Sequence, residues 1–585
     1  MPRYFARIET VMKKYSYPLY EVRNITDLKD MLSQSVKLYA NRPAFWVRPM
    51  KNRPYAPITF SQYNQEVREM GVALSKLGMS NKKVAVLSEN RYEWAVSYLA
   101  ASICAGMVVP IDQNLPFEDI QSLLNAAEAG CIVYSAKFSD NLIAWNASQK
   151  KQAVLINMDL AEDNEIELSI RRVLEKGNAL LAAGDSTFDD VVINPSEAKV
   201  LLFTSGTIAA PKGVLLSHKN IVTNLMDMCQ MIYIDENDIF LSVLPLHHTY
   251  ECTCGFLCQV YRGSGIAYCD GLKYILSNIK EVGATVMLGV PAIFETMYRR
   301  LWTVAAKNGM ESKLKTGLKI SGVTRRFGID LRRKLFANVH ESFGGKLRLF
   351  ISGAAAVDTE ASKGFRDLGI SFLQGYGITE CAPIVAVNRD RQYKDHAAGM
   401  AMPRVDIRLI NKNADGVGEI ACRGDNVMVG YFKNDDATAA AFTDGWFKTG
   451  DLGVIDKDGF LTITGREKNV IVMKNGKNVY PEELEFLVCR HQEVSECMVY
   501  SEYIEKNQET QLSIQVLPNL EYIQETYGDQ RPEEIKKMIE DIISKINKRN
   551  ARYKFIRNVY LRENEFVKTT TRKIKRYAQT PLQPK

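Results

Sequence analysis

Leu202-Phe203-Thr204-Ser205-Gly206-Thr207-Ile208-Ala209-Ala210-Pro211-Lys212-Gly213-Val214 opens on apolar residues that read as a strand and runs into a loop of small hydroxyl residues, glycine and one lysine. A polyphosphate needs many short donors and one mobile cation, and this composition supplies both. It is not a Walker A loop, because Pro211 stands where that motif has the glycine before its lysine. The same residue types punctuate ordinary surface turns, so a phosphate loop and a plain turn both stay open on this stretch alone.

Outward from the loop the pattern predicts an α/β fold. From about Ile25 to Asp190 apolar helical patterns alternate with short β-rich runs, with helices near Gln65 to Leu77 and Tyr92 to Ala105 and strands at Lys83 to Leu87 and Gly106 to Pro110. A second such series runs from Val200 to about Asn388, with strands at Lys199 to Phe203, Phe240 to Leu244, Thr285 to Leu288, Leu347 to Ser352 and Ser371 to Tyr376. From Gly399 to Gly465 short β runs separated by Gly and Asp turns predict a small antiparallel β-barrel. After Arg466 the chain reads as α+β, with a helix from Pro481, strands near Cys497 to Ser501 and Leu512 to Val516, and a basic amphipathic helix at Pro532 to Asn550. The expected organisation is a large N-terminal domain, residues 1–466, of two helix-covered sheets plus the small barrel, and an α+β C-terminal domain, residues 467–585.

Composition excludes several classes. A chain of 585 residues, 46% apolar and 24% charged, is globular and too long for one core. The net charge of +7, from 75 Lys and Arg against 68 Asp and Glu, reads as spread along the chain apart from a basic C-terminal end, which argues against a nucleic-acid binder. Eleven cysteines, an odd number set mostly in apolar stretches, fit reduced thiols in a cytoplasmic protein. Cys252, Cys254 and Cys258 cluster near His247 and His248, so a metal site stands beside the plainer reading of buried helical thiols. Met1 to Tyr17 is no secretory signal, and the longest apolar run, about Val96 to Ile111, falls short of the ~20 residues that span a bilayer.

Six ordered stretches carry a family resemblance. The loop quoted above is followed by Tyr376-Gly377-Ile378-Thr379-Glu380, then Gly418-Glu419-Ile420 with Arg423-Gly424 and Gly430-Tyr431, then Trp446 to Asp451 ending in Thr449-Gly450-Asp451. Gly465-Arg466-Glu467-Lys468 with Gly476 and Pro481-Glu482-Glu483 comes next, and Lys568 to Arg576 closes the series. In this order they resemble the acyl-adenylate-forming superfamily, most closely the AMP-forming long-chain fatty acid CoA ligases.

The resemblance implies ATP, Mg²⁺ and coenzyme A as cofactors and a fatty or other carboxylic acid as substrate. Thr204, Ser205, Gly206, Thr207 and Lys212 would hold the β- and γ-phosphates. Glu380, with Thr204, would ligate Mg²⁺. Ser352-Gly353-Ala354 and Gln374-Gly375-Tyr376, continuing into Gly377 and Thr379, would form the adenine slot. Asp451 would accept the ribose hydroxyls, with Arg466 beside it. Lys573 would bridge the incoming carboxylate and the α-phosphate. The C-terminal domain would be mobile, swinging about Lys468 and opening a thiol tunnel past Gly476. His248, in Leu244-Pro245-Leu246-His247-His248-Thr249-Tyr250-Glu251, would gate the acyl pocket and touch the thiolation site. That pocket is expected along Thr249 to Phe256, Val290 to Ile293 and Cys381 to Val385.

One departure bears on ATP. Ile208-Ala209 stands where the family has Thr-Gly, which removes a hydroxyl donor and, were the glycine at positive φ, would cost roughly 1 kcal/mol. An acyl carrier protein in place of CoA, a non-catalytic nucleotide or acyl binder, and contact with a membrane surface through the basic helix at Lys545, Lys548 and Arg549 stay open as alternatives.

Overall fold

Val84-Ala85-Val86-Leu87 is apolar without interruption, the pattern of a strand covered on both faces. In the computed structural model the strand Lys83–Leu87 has parallel neighbours on each side, Met107–Pro110 and Ala129–Tyr134. The structure describes residues 15–48, 53–204, 212–473, 477–504, 509–568 and 574–576.

Two large sheets carry the N-terminal region among the described residues. The first has eight strands in the order Gly430–Tyr431, Lys212–Ser217, Ala198–Thr204, Met107–Pro110, Lys83–Leu87, Ala129–Tyr134, Val154–Asn157 and Glu167–Ser169. The second has Ala56–Thr59 at its edge, antiparallel to Pro43–Val47, and from there runs through Gly265–Tyr268, Ile239–Ser242, Val286–Gly289 and Leu349–Ser352 to Ser371–Gly377, all parallel to Pro43–Val47. It continues without a break into antiparallel strands Ile384–Val387, Gly399–Ala401, Phe460–Arg466, Trp446–Ile455, Gly418–Gly424 and Val405–Ile410. The region expected as a small barrel is thus hydrogen-bonded to the second sheet through Ile384–Val387, which pairs with Ser371–Gly377.

Alternate residues of each strand enter different cores, as the two-residue period requires. Val84 and Val86 belong to the large central core, whereas Ala85 and Leu87 face the helices Phe117–Ala127 and Ser139–Ser148. On the second sheet Phe240, Val286 and Ile351 enter that same central core, and Leu241, Met287 and Phe350 pack outward. Helix Tyr92–Cys104 lies in the shared layer and is buried nearly all round, which suits its uniformly apolar sequence. Helix His218–Met231 sits there too, started by a Ser217–Asn220 capping box. Large side chains such as Trp94, Tyr98 and Phe256 are fully buried in this layer, each contributing roughly 1.5–3 kcal/mol.

The sheets do not divide by sequence halves. Ala198–Thr204 and Lys212–Ser217, from the second predicted series, complete the first sheet, while Pro43–Val47 crosses to the second. The strand expected to reach Leu244 ends at Ser242, because the Asn90 side chain takes the Leu244 carbonyl at 2.6 Å and accepts the Leu246 amide at 2.9 Å.

The C-terminal residues keep a core of their own. Strands Val494–Ile504, Glu509–Pro518 and Ile556–Leu561 form a three-stranded sheet under helices Pro481–Cys489 and Pro532–Lys548. Pro532 occupies the first turn, where its missing N–H costs nothing, and Ile535, Ile539, Ile542, Ile543 and Ile546 make the buried stripe. This unit meets the larger one through an Arg490–Asp358 ion pair of 2.7 Å and an Asn413–Tyr480 hydrogen bond of 3.2 Å.

Candidate active site

The lysine loop closes a hairpin. Strand Ala198–Thr204 pairs antiparallel with Lys212–Ser217 so that Thr204 stands opposite Lys212, and the Thr204 hydroxyl donates to the Lys212 carbonyl at 3.3 Å. Ser205, Gly206, Thr207 and the Ile208-Ala209 departure lie outside the described residues. The exposed Lys212 ammonium sits 4.7 Å from the centroid of the Tyr431 ring. Tyr431 is placed by its short strand, which extends the first sheet beside Val214 and Leu215. Its hydroxyl donates to Glu380 Oε1 at 3.0 Å, and burial together with that carboxylate pushes the phenol pKa up. Lys212, Tyr431 and Glu380 are thereby brought into one chain of contacts, with Thr204 at its root.

Glu380 is presented by a single tight turn, Thr379–Cys381, after strand Ser371–Gly377. Ala382 closes the turn at φ +63°, and the Met428 amide donates to the Glu380 carbonyl at 2.8 Å. The oxygen-only donors Glu380 and Thr204 suit a hard cation such as Mg²⁺ in chemistry.

Ser352 and Gln374 pair side by side at the carboxyl ends of parallel strands, so the two stretches expected around adenine do meet. Parallel-sheet ligands gather at such strand ends. At Gly353, however, the space of a side chain is taken by the Tyr250 ring, whose Cζ would lie 2.6 Å from an added Cβ. At Gly375 an added Cβ would meet the Ala386 carbonyl oxygen at 3.1 Å and Val387 at 3.2 Å. These glycines answer packing inside the fold before any ligand enters. Ala354 holds φ +72°, an uncommon conformation for a residue with a side chain.

Asp451 is a confined carboxylate, 5% exposed. Its Oδ2 accepts the Tyr376 hydroxyl at 2.7 Å, and its Oδ1 faces Arg466 Nε at 3.1 Å from the paired strand. Desolvation and the carboxylate drive the Tyr376 phenol far above its ordinary pKa. Arg466 remains 44% exposed. Lys468 is exposed on the turn Glu467–Asn469 where the two units join.

The segment after Pro245 folds into a π-helix, Tyr250–Leu257, a geometry frequent at functional sites. His247 Nε2 lies 3.3 Å from Asp112 Oδ2, and the His248 ring packs 4.1 Å from that of His247. The close group of metal-type ligands among the described residues is Asp112, His247 and His248, and it contains none of the three cysteines. Cys252, Cys254 and Cys258 are buried, with thiol pKa values raised foremost by desolvation, as buried helical thiols would have. Glu251, unremarked in the sequence, is fully buried with a pKa pushed up to about 8 by desolvation.

Lys573 and Gly476 also lie outside the described residues, but their neighbours are fixed. Lys568 pairs with Glu565 at 2.8 Å and with Glu496, and Arg576 pairs with Glu485 at 2.5 Å while donating to the Val499 carbonyl at 2.9 Å. The basic run is therefore anchored on both sides of Lys573 to the C-terminal sheet and its helix.

Residues 32–432 match the family described as AMP-binding enzyme. The chain belongs to this family. Among curated relatives it is similar to a long-chain-fatty-acid–CoA ligase, FadD15, of Mycobacterium bovis, at 28% identity over 76% of this chain and 75% of the relative. It is also similar to long-chain-fatty-acid–CoA ligase 1 of Cavia porcellus, at 26% identity over 86% and 75%. The anthranilate CoA ligase AuaEII bound to anthranoyl-AMP shares its fold, with a TM-score of 0.74, 19% identity and coverage of 97% and 98%. ATP-bound MatB of Rhodopseudomonas palustris does likewise, with a TM-score of 0.73, 20% identity and coverage of 94% and 97%.

Within this AMP-binding enzyme three positions were not singled out by sequence reasoning. Tyr431 stood only at the end of a motif, Asn90 was not read at all, and Glu251 only closed the gate stretch, a lone acid entering an apolar run. For Glu251 that isolation was itself the usable signal, since a lone acid inside a buried segment must be paired or neutral.

Proposed function

We propose that this chain is an AMP-forming long-chain fatty acid CoA ligase. The supporting observation is the convergence of Lys212, Tyr431 and Glu380 at the hairpin mouth with Asp451, Tyr376 and Arg466 on the neighbouring strands. The names of the relatives supply the substrate class.

On this reading a carboxylate oxygen attacks the α-phosphorus of ATP, the bond to the bridging oxygen breaks, and pyrophosphate leaves from an acyl-adenylate. The CoA thiol then loses its proton and attacks the acyl carbon, and AMP departs. Thr204 and Lys212, with Ser205 to Thr207, hold the terminal phosphates. Asp451 accepts the ribose hydroxyls, Arg466 offers a cation beside it, and the strand ends at Ser352 and Gln374 to Thr379 flank the base. Mg²⁺, when held by Glu380 and Thr204, neutralises phosphate charge. Lys573 serves the first step, and rotation of residues 467–585 about Lys468 withdraws it so that the thiol can enter past Gly476. His248 lines the acyl gate beside Thr249. No described helix is long and apolar enough to cross a membrane, and we place the enzyme in the cytoplasm, in contact with a membrane surface from which it takes its acid.

The test is a pyrophosphate-release screen over acids from acetate to oleate with aryl acids included, followed by palmitate with CoA or with a holo carrier protein. Release with the longer acids and thioester on CoA is the expected result. Thioester only on the carrier would replace CoA as acceptor, and no release with any acid from folded, ATP-binding protein would make the chain a binder.

A further inference from the structure

We propose that the helical lobe of residues 291–346 is a docking surface for an anionic lipid bilayer. The lobe holds twelve Lys and Arg against four Asp and Glu, a surplus of eight that exceeds the +7 of the whole chain. The even spread of charge expected from the sequence is corrected by this count. Its four helices are Pro291–Lys307, Glu311–Arg326, Arg332–Leu335 and Ala337–Ser342.

The cations divide into two sets. Arg325 pairs with Asp367 at 3.4 Å, Arg332 pairs with Asp330 at 2.6 Å, and Arg333 donates to the Gly345 and Leu347 carbonyls at 3.0 Å. These hold the lobe together, as do Leu314 and Phe336, which pack with Leu368. Lys313, Lys319 and Arg326 instead are exposed and form no ion pair with a described residue. Between them runs an apolar stripe facing water: Ile320, Val323 and Phe327, 45%, 55% and 78% exposed. The spacing i, i+3, i+7 puts all three on one face, the reverse of what a core-facing helix shows. Val304, Ile329 and Leu335 add exposed apolar surface on the same lobe.

The partner follows from that mixture. A nucleic-acid backbone is met by cations and hydrogen-bond donors and gives no reward for an exposed Phe, Val and Ile. An interface of lipid headgroups and acyl chains rewards both, taking apolar side chains into the acyl boundary while the cations meet anionic headgroups. The lobe is rooted where such a substrate would be used. Pro291 follows strand Val286–Gly289 by two residues, and Gly289 pairs with Ser352 at the candidate site. The 17-residue first helix carries the lobe about 25 Å outward. The placement deepens the membrane contact proposed above, and the docking itself stands apart from the ligase reading.

The test is sedimentation of the full chain with phosphatidylcholine vesicles, with and without phosphatidylglycerol, at low and high salt. Binding is expected only with phosphatidylglycerol, falling roughly tenfold or more at high salt. Val323→Ser with Phe327→Ser, and separately Lys313→Glu with Lys319→Glu and Arg326→Glu, are each expected to lower the partition about tenfold or more. Both sets lie on the solvent face, so unchanged thermal midpoints would accompany the loss. Absence of binding, equal binding to neutral vesicles, or full binding by the charge-reversed chain would overturn the proposal, as would binding of duplex DNA or an acidic carrier protein in place of vesicles. A chain that releases pyrophosphate without binding vesicles fails here alone, and one that binds vesicles without pyrophosphate release with any acid fails only as a ligase.

Discussion

Replacing Glu251 by glutamine should abolish the pH dependence that this one carboxyl imposes on stability. Glu251 lies wholly inside the N-terminal region on the π-helix beside the proposed acyl gate. The Ser242 hydroxyl donates to Oε1 and the Leu244 backbone also favours the ionised form, yet desolvation is the larger effect and raises the pKa from 4.5 to about 8. Oε2 has no hydrogen-bond partner among the described residues, which suits a protonated acid. The folded state therefore binds the proton more tightly than the unfolded chain. Its contribution is fully present below pH 4.5 and is lost progressively until the pH passes about 8. At about 1.36 kcal/mol per unit the total is roughly 5 kcal/mol, of which about 3 kcal/mol is lost between pH 6 and pH 9. Glutamine, which does not ionise, lacks this loss. Unfolding of wild type and Glu251→Gln followed at both pH values, on the transition of the N-terminal region, should show the variant gaining about 3 kcal/mol on wild type as the pH rises. Other titrating groups cancel in that difference. A stability difference that stays flat from pH 6 to pH 9 would refute the assignment of a buried, neutral Glu251.

Three further outcomes are expected. Tyr376→Phe removes the 2.7 Å hydrogen bond to Asp451 and should raise the KM for ATP about tenfold, the weight of one hydrogen bond to a charged group; an unchanged KM for ATP would separate Asp451 from the nucleotide. Gly353→Ala places a Cβ 2.6 Å from the Tyr250 ring and should cost about 1–3 kcal/mol of stability, partly restored by Tyr250→Leu, with denaturant midpoints as the measurement. Lys573→Ala should abolish pyrophosphate release yet leave thioester formation from supplied acyl-adenylate largely intact, and equal loss in both half-reactions would remove Lys573 from its role.

Local order was legible because it is local. Val84 to Leu87 announces a strand by its β-branched, uninterrupted run, and Pro532-Glu533-Glu534 announces a helix by its first-turn proline and acids. Sheet membership was not, since nothing in Pro43 to Val47 says that its partner is Gly265–Tyr268, more than 200 residues away. The same distance hid Tyr431, whose contact with Glu380 depends on a two-residue strand joining the hairpin at Leu215. Thr204, Lys212, Glu380, Asp451 and Arg466 were named from motif order; in the structure Thr204, Lys212 and Arg466 stand at strand ends, Glu380 on the turn after Ser371–Gly377 and Asp451 within Trp446–Ile455. The basic lobe was readable from a charge count over residues 291–346 but vanished into a whole-chain total close to balance.

The site divides its groups by rigidity, and the division bears on how one pocket could run two reactions. Each carboxylate is held by a tyrosine from a different strand: Asp451 by Tyr376, and Glu380 by Tyr431. The hydroxyl that orients each one is itself on a sheet, so these acceptors need no rearrangement when a ligand arrives, and preorganised groups of that kind act without a reorganisation cost at the moment of reaction. The cations behave otherwise. Lys212 is exposed at a hairpin mouth, Arg466 is nearly half exposed, and Lys468 is exposed at the junction of the two units. On the proposed reading Lys573 travels with the smaller unit, where the flanking Lys568 and Arg576 pair with Glu496 and Glu485. A rigid-body turn of that unit would therefore carry Lys573 away whole, leaving Asp451 and Glu380 in place. Acceptors that stay and a cation that leaves are what an enzyme needs if it is to form an adenylate and then admit a thiol to the same carbon.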